Sequence, residues 1–293
     1  MTITFCGIEL KHPIINASGT FDAIAAQRAF GEQLTAHFPF SAFVSKTVTV
    51  EPREGNPPPR LWELPGGLLN SIGLPNKGLA GYLREDLPKL ARLPVPLIVN
   101  VMGFSSEQVA QLVKAFAPRD EVAALELNVS CPNVETGLIM GADPQELSRL
   151  LERVRPLTEK PLIVKLTPNV SDVAAVARAA RDTGASALSL INTVRGMALH
   201  PGSGEPWLGG ITGGASGPAL RAIALAQVHT VRDAVELPII GMGGVQRGHD
   251  AADLIRAGAD LVAVGTESFR DPTAGARVAT ELDCGLAPVK NWG

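Results

Sequence analysis

Eight short runs of apolar residues recur along the chain, at 13–17, 42–46, 97–102, 123–129, 162–166, 187–191, 238–242 and 261–264. Each is near-continuously apolar rather than alternating, the pattern of a strand buried on both faces of a parallel sheet. Stretches rich in Ala, Leu and Arg with helical spacing lie between most of them, among them 172–182, 217–234 and 247–257. Strand then helix, eight times, predicts an α/β fold, a (β/α)8 TIM barrel. A doubly wound open sheet shows the same alternation but usually stops at about five to seven strands. Ser105 to Glu107 and Ser171 with Asp172 offer capping oxygens at helix starts, and Gly184 and Gly258 stand where helices should end before a strand. The first ten residues alternate and predict a small N-terminal hairpin closing the barrel bottom. Residues 51–78, EPREGNPPPRLWELPGGLLNSIGLPNKG, are rich in Pro and Gly. They read as a long loop insertion after strand 2, too irregular for a helix or strand and on the rim that carries chemistry in barrels. No boundary or repeat is visible, so one barrel domain over 1–293 is expected.

Composition narrows the ligand class. A net charge of -3, with no long run of Lys or Arg, gives no electrostatic reason for nucleic acid or an anionic membrane as partner. A small molecule is the expected ligand. Three scattered cysteines, Cys6, Cys131 and Cys284, suit neither a disulfide framework nor a metal set and point to a reducing compartment. The chain opens MTITFCGIEL, without a basic segment followed by an apolar one, and holds no apolar stretch of the roughly 18–20 residues a membrane span needs. A soluble, cytoplasmic protein is expected.

The predicted strand ends carry polar groups that together describe one pocket. Strand one ends in NASGT, strand two in SKT, and strand three carries Asn100. Strand four ends in ELN before SCPNV, which brings Asn128, Cys131 and Asn133 to one rim. Strand five carries Lys165, strand six ends in Asn192-Thr193, and strands seven and eight run into Gly243-Gly244 and Gly265-Thr266. Glycines after strands seven and eight let backbone N–H groups approach a phosphate, and they also serve as ordinary tight turns. Gly213 to Gly217, GGASG, reads as a third, flexible loop on the same side. Lys46 and Lys165 sit in or at the end of apolar strands, where each either neutralises an anionic ligand or snorkels to solvent. Asn70, Asn100, Asn128, Asn133 and Asn192 offer paired donors and acceptors suited to a flat ligand with amide edges. Cys131 reads as a packing cysteine, a metal ligand or a reactive thiol. No histidine stands in a metal-binding spacing, and the polar SCPNV loop favours a reactive thiol able to act as a base. Cys6 and Cys284 lie away from the strand ends and read as structural.

The ordered set NASGTF, SKTVT, EPREGNPPPR, LNSIGLPN, ELNVSCPN, PLIVKLTPNV, LSLINT, GGASGPA, IIGMGG and VGT resembles the dihydroorotate dehydrogenases, from about Gly7 to Pro272. Cysteine in place of serine at 131 points to class 1, and EPREGNPPPR, INTVRGMA and TGGASGPA to class 1B. The resemblance implies FMN-dependent oxidation of (S)-dihydroorotate to orotate in de novo pyrimidine (UMP) biosynthesis. It assigns Cys131 and Lys165 to catalysis, the first as base at C5 while hydride passes from C6 to flavin N5. Substrate would be held by Lys46, Asn70, Ser71, Ile72, Gly73, Leu74, Asn128, Asn133, Asn192 and Thr193. FMN would be held by Ala17, Ser18, Gly19, Thr20, Lys46, Thr47, Asn100, Asn128, Lys165, Ile191, Gly217, Gly243, Gly244, Gly265 and Thr266. It further implies a homodimer and a partner subunit bearing FAD and an iron–sulfur cluster that delivers electrons to NAD. After Phe21 the Ala-rich DAIAAQRAFG replaces the Gly-aromatic run frequent in the family and predicts a helix. Two other readings stay open: another flavin barrel acting on a dihydropyrimidine ring, and a non-redox phosphate-binding barrel in which Cys131 only packs.

Overall fold

The computed structural model describes residues 2–129 and 141–285. The chain opens with a hairpin of β1 (Ile3–Phe5) and β2 (Ile8–Leu10). Next come β3 (Ile14–Asn16), β4 (Phe43–Val44), β5 (Leu61–Leu64), β6 (Gly67–Asn70), β7 (Leu97–Val101), β8 (Ala124–Asn128), β9 (Leu162–Lys165), β10 (Ala187–Leu190), β11 (Val194–Gly196), β12 (Gly213–Ser216), β13 (Ile239–Met242) and β14 (Leu261–Val264). Eight of these form one parallel sheet in the order β3-β14-β13-β10-β9-β8-β7-β4. They are the eight apolar runs of the sequence, each strand lying inside its predicted segment.

Closure joins the two ends of that order. Ser41 N donates to Ile14 O at 3.0 Å. The fully buried Asn16 side chain then does the work of a strand, with Nδ2 donating to Val44 O and Oδ1 accepting from Val44 N, both at 2.8 Å. Side chains alternate about the sheet. Ile98, Ala124, Ile163, Ala187, Ile240 and Leu261 fill the barrel interior, where Phe5 and Leu10 of the hairpin close the bottom as expected. Their neighbours Leu97, Val99, Leu125, Leu127, Leu162, Val164, Leu188 and Val262 face outward into the helices.

The helices obey local signals. Ser105 caps Ser106–Phe116 through Gln108 N, and Asp172 caps Val173–Asp182 through Ala175 N. Helix Pro144–Val154 buries Leu147, Leu150, Leu151 and Val154, a spacing of three and four that makes one apolar face. The Ala-rich segment after Phe21 is helical, Ala23–Phe30, capped by Asp22.

Two readings of the sequence are corrected. Residues 51–78 are not wholly irregular: β5 and β6 form a hairpin within them, turning at Pro65-Gly66 with Gly66 at φ +83°. GGASG is not a flexible loop, because residues 213–216 are β12, the strand between β11 and β6 in a four-stranded antiparallel sheet. Gly214 is required there, since a Cβ would stand 1.9 Å from Thr193 Oγ1. These strands are short and Gly-rich and find partners far away, Asn70 Nδ2 reaching Gly214 O across 144 positions. Local pattern carries no trace of such pairing.

Cys6 sits in the first hairpin's turn, its thiol 3.4 Å from Ser186 O. Burial, and after it the charge of Asp260, push the thiol up to about 11. Cys284 is exposed rather than packed. Peptide mapping after iodoacetamide treatment near neutral pH should find Cys284 labelled and Cys6 intact, with Cys6 labelling rising as pH approaches about 11. Equal labelling of both at neutral pH would show that the hairpin does not bury Cys6.

Asn16→Ala should cost about 2–4 kcal/mol in urea unfolding, because Val44 would keep a buried N–H and C=O without partners. A loss within experimental error would show that the barrel closes without this amide.

Candidate active site

A cavity opens at the carboxyl ends of the barrel strands, roofed by the four-stranded sheet. The barrel contributes Ala17, Ser18, Gly19, Thr20, Lys46, Thr47, Asn128, Lys165, Ile191, Asn192, Thr193, Gly243, Gly244, Gly265 and Thr266 to its wall. The roof contributes Asn70, Ile72, Gly73, Leu74 and Gly217. Ser71 and Asn100, expected with them, lie behind the wall, both with no exposed surface. Ser71 Oγ accepts from Asn56 Nδ2 at 2.8 Å, and Asn100 Nδ2 donates to Glu126. Cys131 and Asn133 lie outside the described residues. The sequence reading missed Leu61, Leu68, Ser216, Gln246, Glu267 and Phe269, which also line the cavity. The hairpin that brings Leu61 and Leu68 was legible only as LWELPGGLL, a two-residue Pro-Gly turn between apolar pairs.

Each wall has a scaffold. The segment 70–74 is braced by the loop before it: Asn56 N donates to Ile72 O at 3.0 Å, and Arg53 Nε to Gly73 O at 3.2 Å. Asn76 ties the same loop down, its Oδ1 accepting from Gly78 N at 2.8 Å and its Nδ2 donating to Leu74 O at 2.8 Å. Across the cavity Gly243 and Gly244 have φ +130° and +77°, and Cβ atoms there would stand 2.8 Å from Ala224 Cβ and Arg221 Cβ. Only glycine lets this turn press against the start of helix Arg221–Ala234. Asp250 Oδ2 holds the backbone just past this turn, accepting from Gln246 N at 2.9 Å and Arg247 N at 3.0 Å.

The electrostatics favour an anion. Lys165 is 6% exposed, and among the described residues its ammonium has no hydrogen-bond or ion-pair partner. A lysine so placed calls for a ligand that takes its charge. Lys46 lines the same cavity, close enough to Gly19 that a Cβ there would meet Nζ at 3.0 Å. The acid among the lining residues near the glycine turns, Glu267, is spent on Arg277 at 3.2 Å and on Gln246 Nε2 at 3.1 Å. Ser216 Oγ and Thr266 Oγ1, 2.9 Å apart, add hydroxyls beside Gly217 and Gly265. The donor set therefore fits a flat ring over Lys165 and a phosphate among the glycines and hydroxyls, which is the outline of FMN. No three His, Cys, Asp or Glu side chains gather as metal ligands among the described residues.

Known proteins match nearly the whole of this chain. The family model for dihydroorotate dehydrogenase matches residues 1–286. A catalytic subunit of dihydroorotate dehydrogenase B (NAD(+)) from Pelobacter propionicus is 45% identical over 97% of this chain and 92% of its own length. Proteins of the same name from Geobacter sp. and Desulforudis audaxviator are each 43% identical, over 98% and 96% of this chain and 93% and 91% of their own lengths. Fold, anion-seeking cavity and full-length likeness agree: the chain belongs to the dihydroorotate dehydrogenase family.

Proposed function

We propose that the chain is the FMN-bearing catalytic subunit of a class 1B dihydroorotate dehydrogenase, oxidising (S)-dihydroorotate to orotate in de novo UMP synthesis. The observation that carries this reading is Lys165, a buried ammonium lining the cavity with no protein partner among the described residues. FMN, when bound, would supply the acceptor for the hydride that the substrate loses from C6. Cys131 takes the proton from C5, so that a C–H bond is broken at each carbon and a ring double bond forms. Lys165 meets the negative charge that develops on reduction. Lys46 serves cofactor and substrate alike. Asn70, Ile72, Gly73, Leu74, Asn128, Asn133, Asn192 and Thr193 hold the carboxylate and amide edges of the substrate, and Ser71 braces their loop through Asn56. Residues 17–20, Thr47, Ile191, Gly217, Gly243, Gly244, Gly265 and Thr266 hold the cofactor, with Asn100 beneath.

Electrons leave through a partner subunit carrying FAD and an iron–sulfur cluster to reach NAD. The name borne by the relatives, a catalytic subunit of an NAD(+) enzyme, supports a partner of this kind. The three cysteines of this chain are too scattered to hold the cluster. The chain works as a single barrel domain, paired as a homodimer in the cytoplasm. Among the described residues no helix is long and apolar enough to cross a membrane.

The visible spectrum of the purified protein tests this reading. A flavin band that dihydroorotate bleaches anaerobically, and that NAD does not restore without a partner, is the expected result. A protein that stays colourless after incubation with FMN would overturn it.

Two variants test the roles. Cys131→Ala should keep FMN yet slow its reduction by about 10²–10⁴-fold in anaerobic stopped flow, the range a positioned base contributes. Unchanged kinetics would remove Cys131 from the chemistry. Lys165→Ala should weaken FMN binding by roughly tenfold to a hundredfold, because a charge-assisted hydrogen bond is worth about 1.5–3 kcal/mol. Wild-type affinity and wild-type reduction in this variant would show that the ammonium serves neither.

A further inference from the structure

Glu126 is a carboxylate inside the barrel that opens the ELNVSCPN motif, and the dehydrogenation chemistry does not use it. It lies on β8 between Ala124 of the interior cluster and Asn128 of the cavity wall, and it is 2% exposed. Two neutral donors hold it: Asn100 Nδ2 on β7 bonds to Oε2, and Ser189 Oγ on β10 bonds to Oε1 at 2.7 Å. Among the described residues it makes no ion pair. Both donors are fully buried, so this group was not placed by solvent. Ser189 and Asn128 are the two cross-strand neighbours of Lys165 in the sheet register. Glu126 thus stands one step below the floor on which Lys165 stands.

A carboxylate only accepts hydrogen bonds. It therefore dictates which end of the Asn100 amide faces it, and the nitrogen must. The oxygen is left over, and Asn100 Oδ1 is buried without a protein partner. Buried acceptors are seldom left so, and a ligand N–H is what completes one. Two strands from Lys165 and beneath the cavity it lines, this acceptor would complement the imide N–H of a flavin whose carbonyls meet the ammonium. The charge of Glu126 acts on the same ring. In a medium of low dielectric constant it offsets Lys165 and opposes the gathering of negative charge above it.

We propose that Glu126 is a positioning residue of the flavin site. It sets the Asn100 amide with its oxygen free for the ring and holds a negative charge beneath Lys165 that keeps the flavin potential low. A low potential suits a flavin whose electrons must reach NAD. This inference rests on the proposed FMN site.

The test uses the full chain loaded with FMN, without substrate. Glu126→Gln should move the flavin midpoint potential to a more positive value, because a buried negative charge is gone while shape is kept. It should also raise the FMN dissociation constant several-fold in a fluorescence titration, since a glutamine can offer its own N–H and turn Asn100 round. In an Asn100→Ala background the effect of Glu126→Gln on affinity should vanish, while its effect on potential persists. Glu126→Asp, which keeps the charge but withdraws it from Asn100, should hold the wild-type potential and still weaken FMN binding. It also stands in if the glutamine variant does not fold. Wild-type potential and affinity in Glu126→Gln would overturn the inference. So would equal potential shifts in the aspartate and glutamine variants, which would make packing the cause. Failure of the wild-type chain itself to bind FMN would instead overturn the functional reading on which it rests.

Discussion

The barrel exists only because its sheet closes on itself, and at that closure one buried amide stands in for a neighbouring strand. The strand order ends in β3 on one side and β4 on the other, and β4 is two residues long. Asn16 carries a donor and an acceptor on one planar group, so it gives Val44 the two bonds a neighbouring peptide would have given. The residues just past Asn16 and Val44 inherit this placement. Ser18 Oγ donates to Ser45 O at 2.8 Å, and Gly19 is set against Lys46. The seam of the fold is therefore also the wall that holds one of the cavity's ammonium groups in place.

A single alternation produces both the stable base and the reactive floor. Ile98, Ala124, Ile163 and Ala187 fill the interior, and two residues further along the same strands stand Asn100, Glu126, Lys165 and Ser189. A strand of period two cannot bring one set inward without the other. The apolar layer supplies burial, whereas the polar layer must satisfy itself or be left for a ligand. Asn100, Glu126 and Ser189 satisfy one another in part. Lys165 stands apart from that network, which is why the chemistry belongs at its end of the barrel.

Most of the barrel was legible because its signal is local. A strand buried on both faces must be apolar throughout, and all eight such runs became strands. Most candidate site residues were legible for a related reason, since polar residues at the ends of such runs have few other places to face. The roof was not legible. β6 and β12 are built largely from Gly, Leu and Ala, and their strand character comes from pairing across 144 positions rather than from their own pattern. Ser71 reads as lining the cavity because the sequence cannot show that its hydroxyl accepts from Asn56 behind the wall. Glu126 escaped notice inside ELN, although the spacing of two that brought Asn128 inward applies to it equally.

The roof explains why this barrel encloses a ligand rather than merely docking a phosphate. It has a small core of its own, Leu69, Ala198 and Leu208, closed by Trp62 and Trp207 with ring centroids 4.6 Å apart. Trp207 Nε1 donates to Leu61 O at 3.2 Å, which ties the long connection before β12 to the hairpin. The sheet is thus held together independently of the barrel, and its links to the barrel run beside the cavity. Ala219 N donates to Gly66 O at 3.1 Å at one end, and at the other Thr49 N, just past the second barrel strand, donates to Asn76 Oδ1 at 3.3 Å. A ligand reaching from the glycine turns to Asn70 touches both bodies at once. Such a ligand would displace water from between the two surfaces, which would strengthen the field of Lys165 on whatever lies above it.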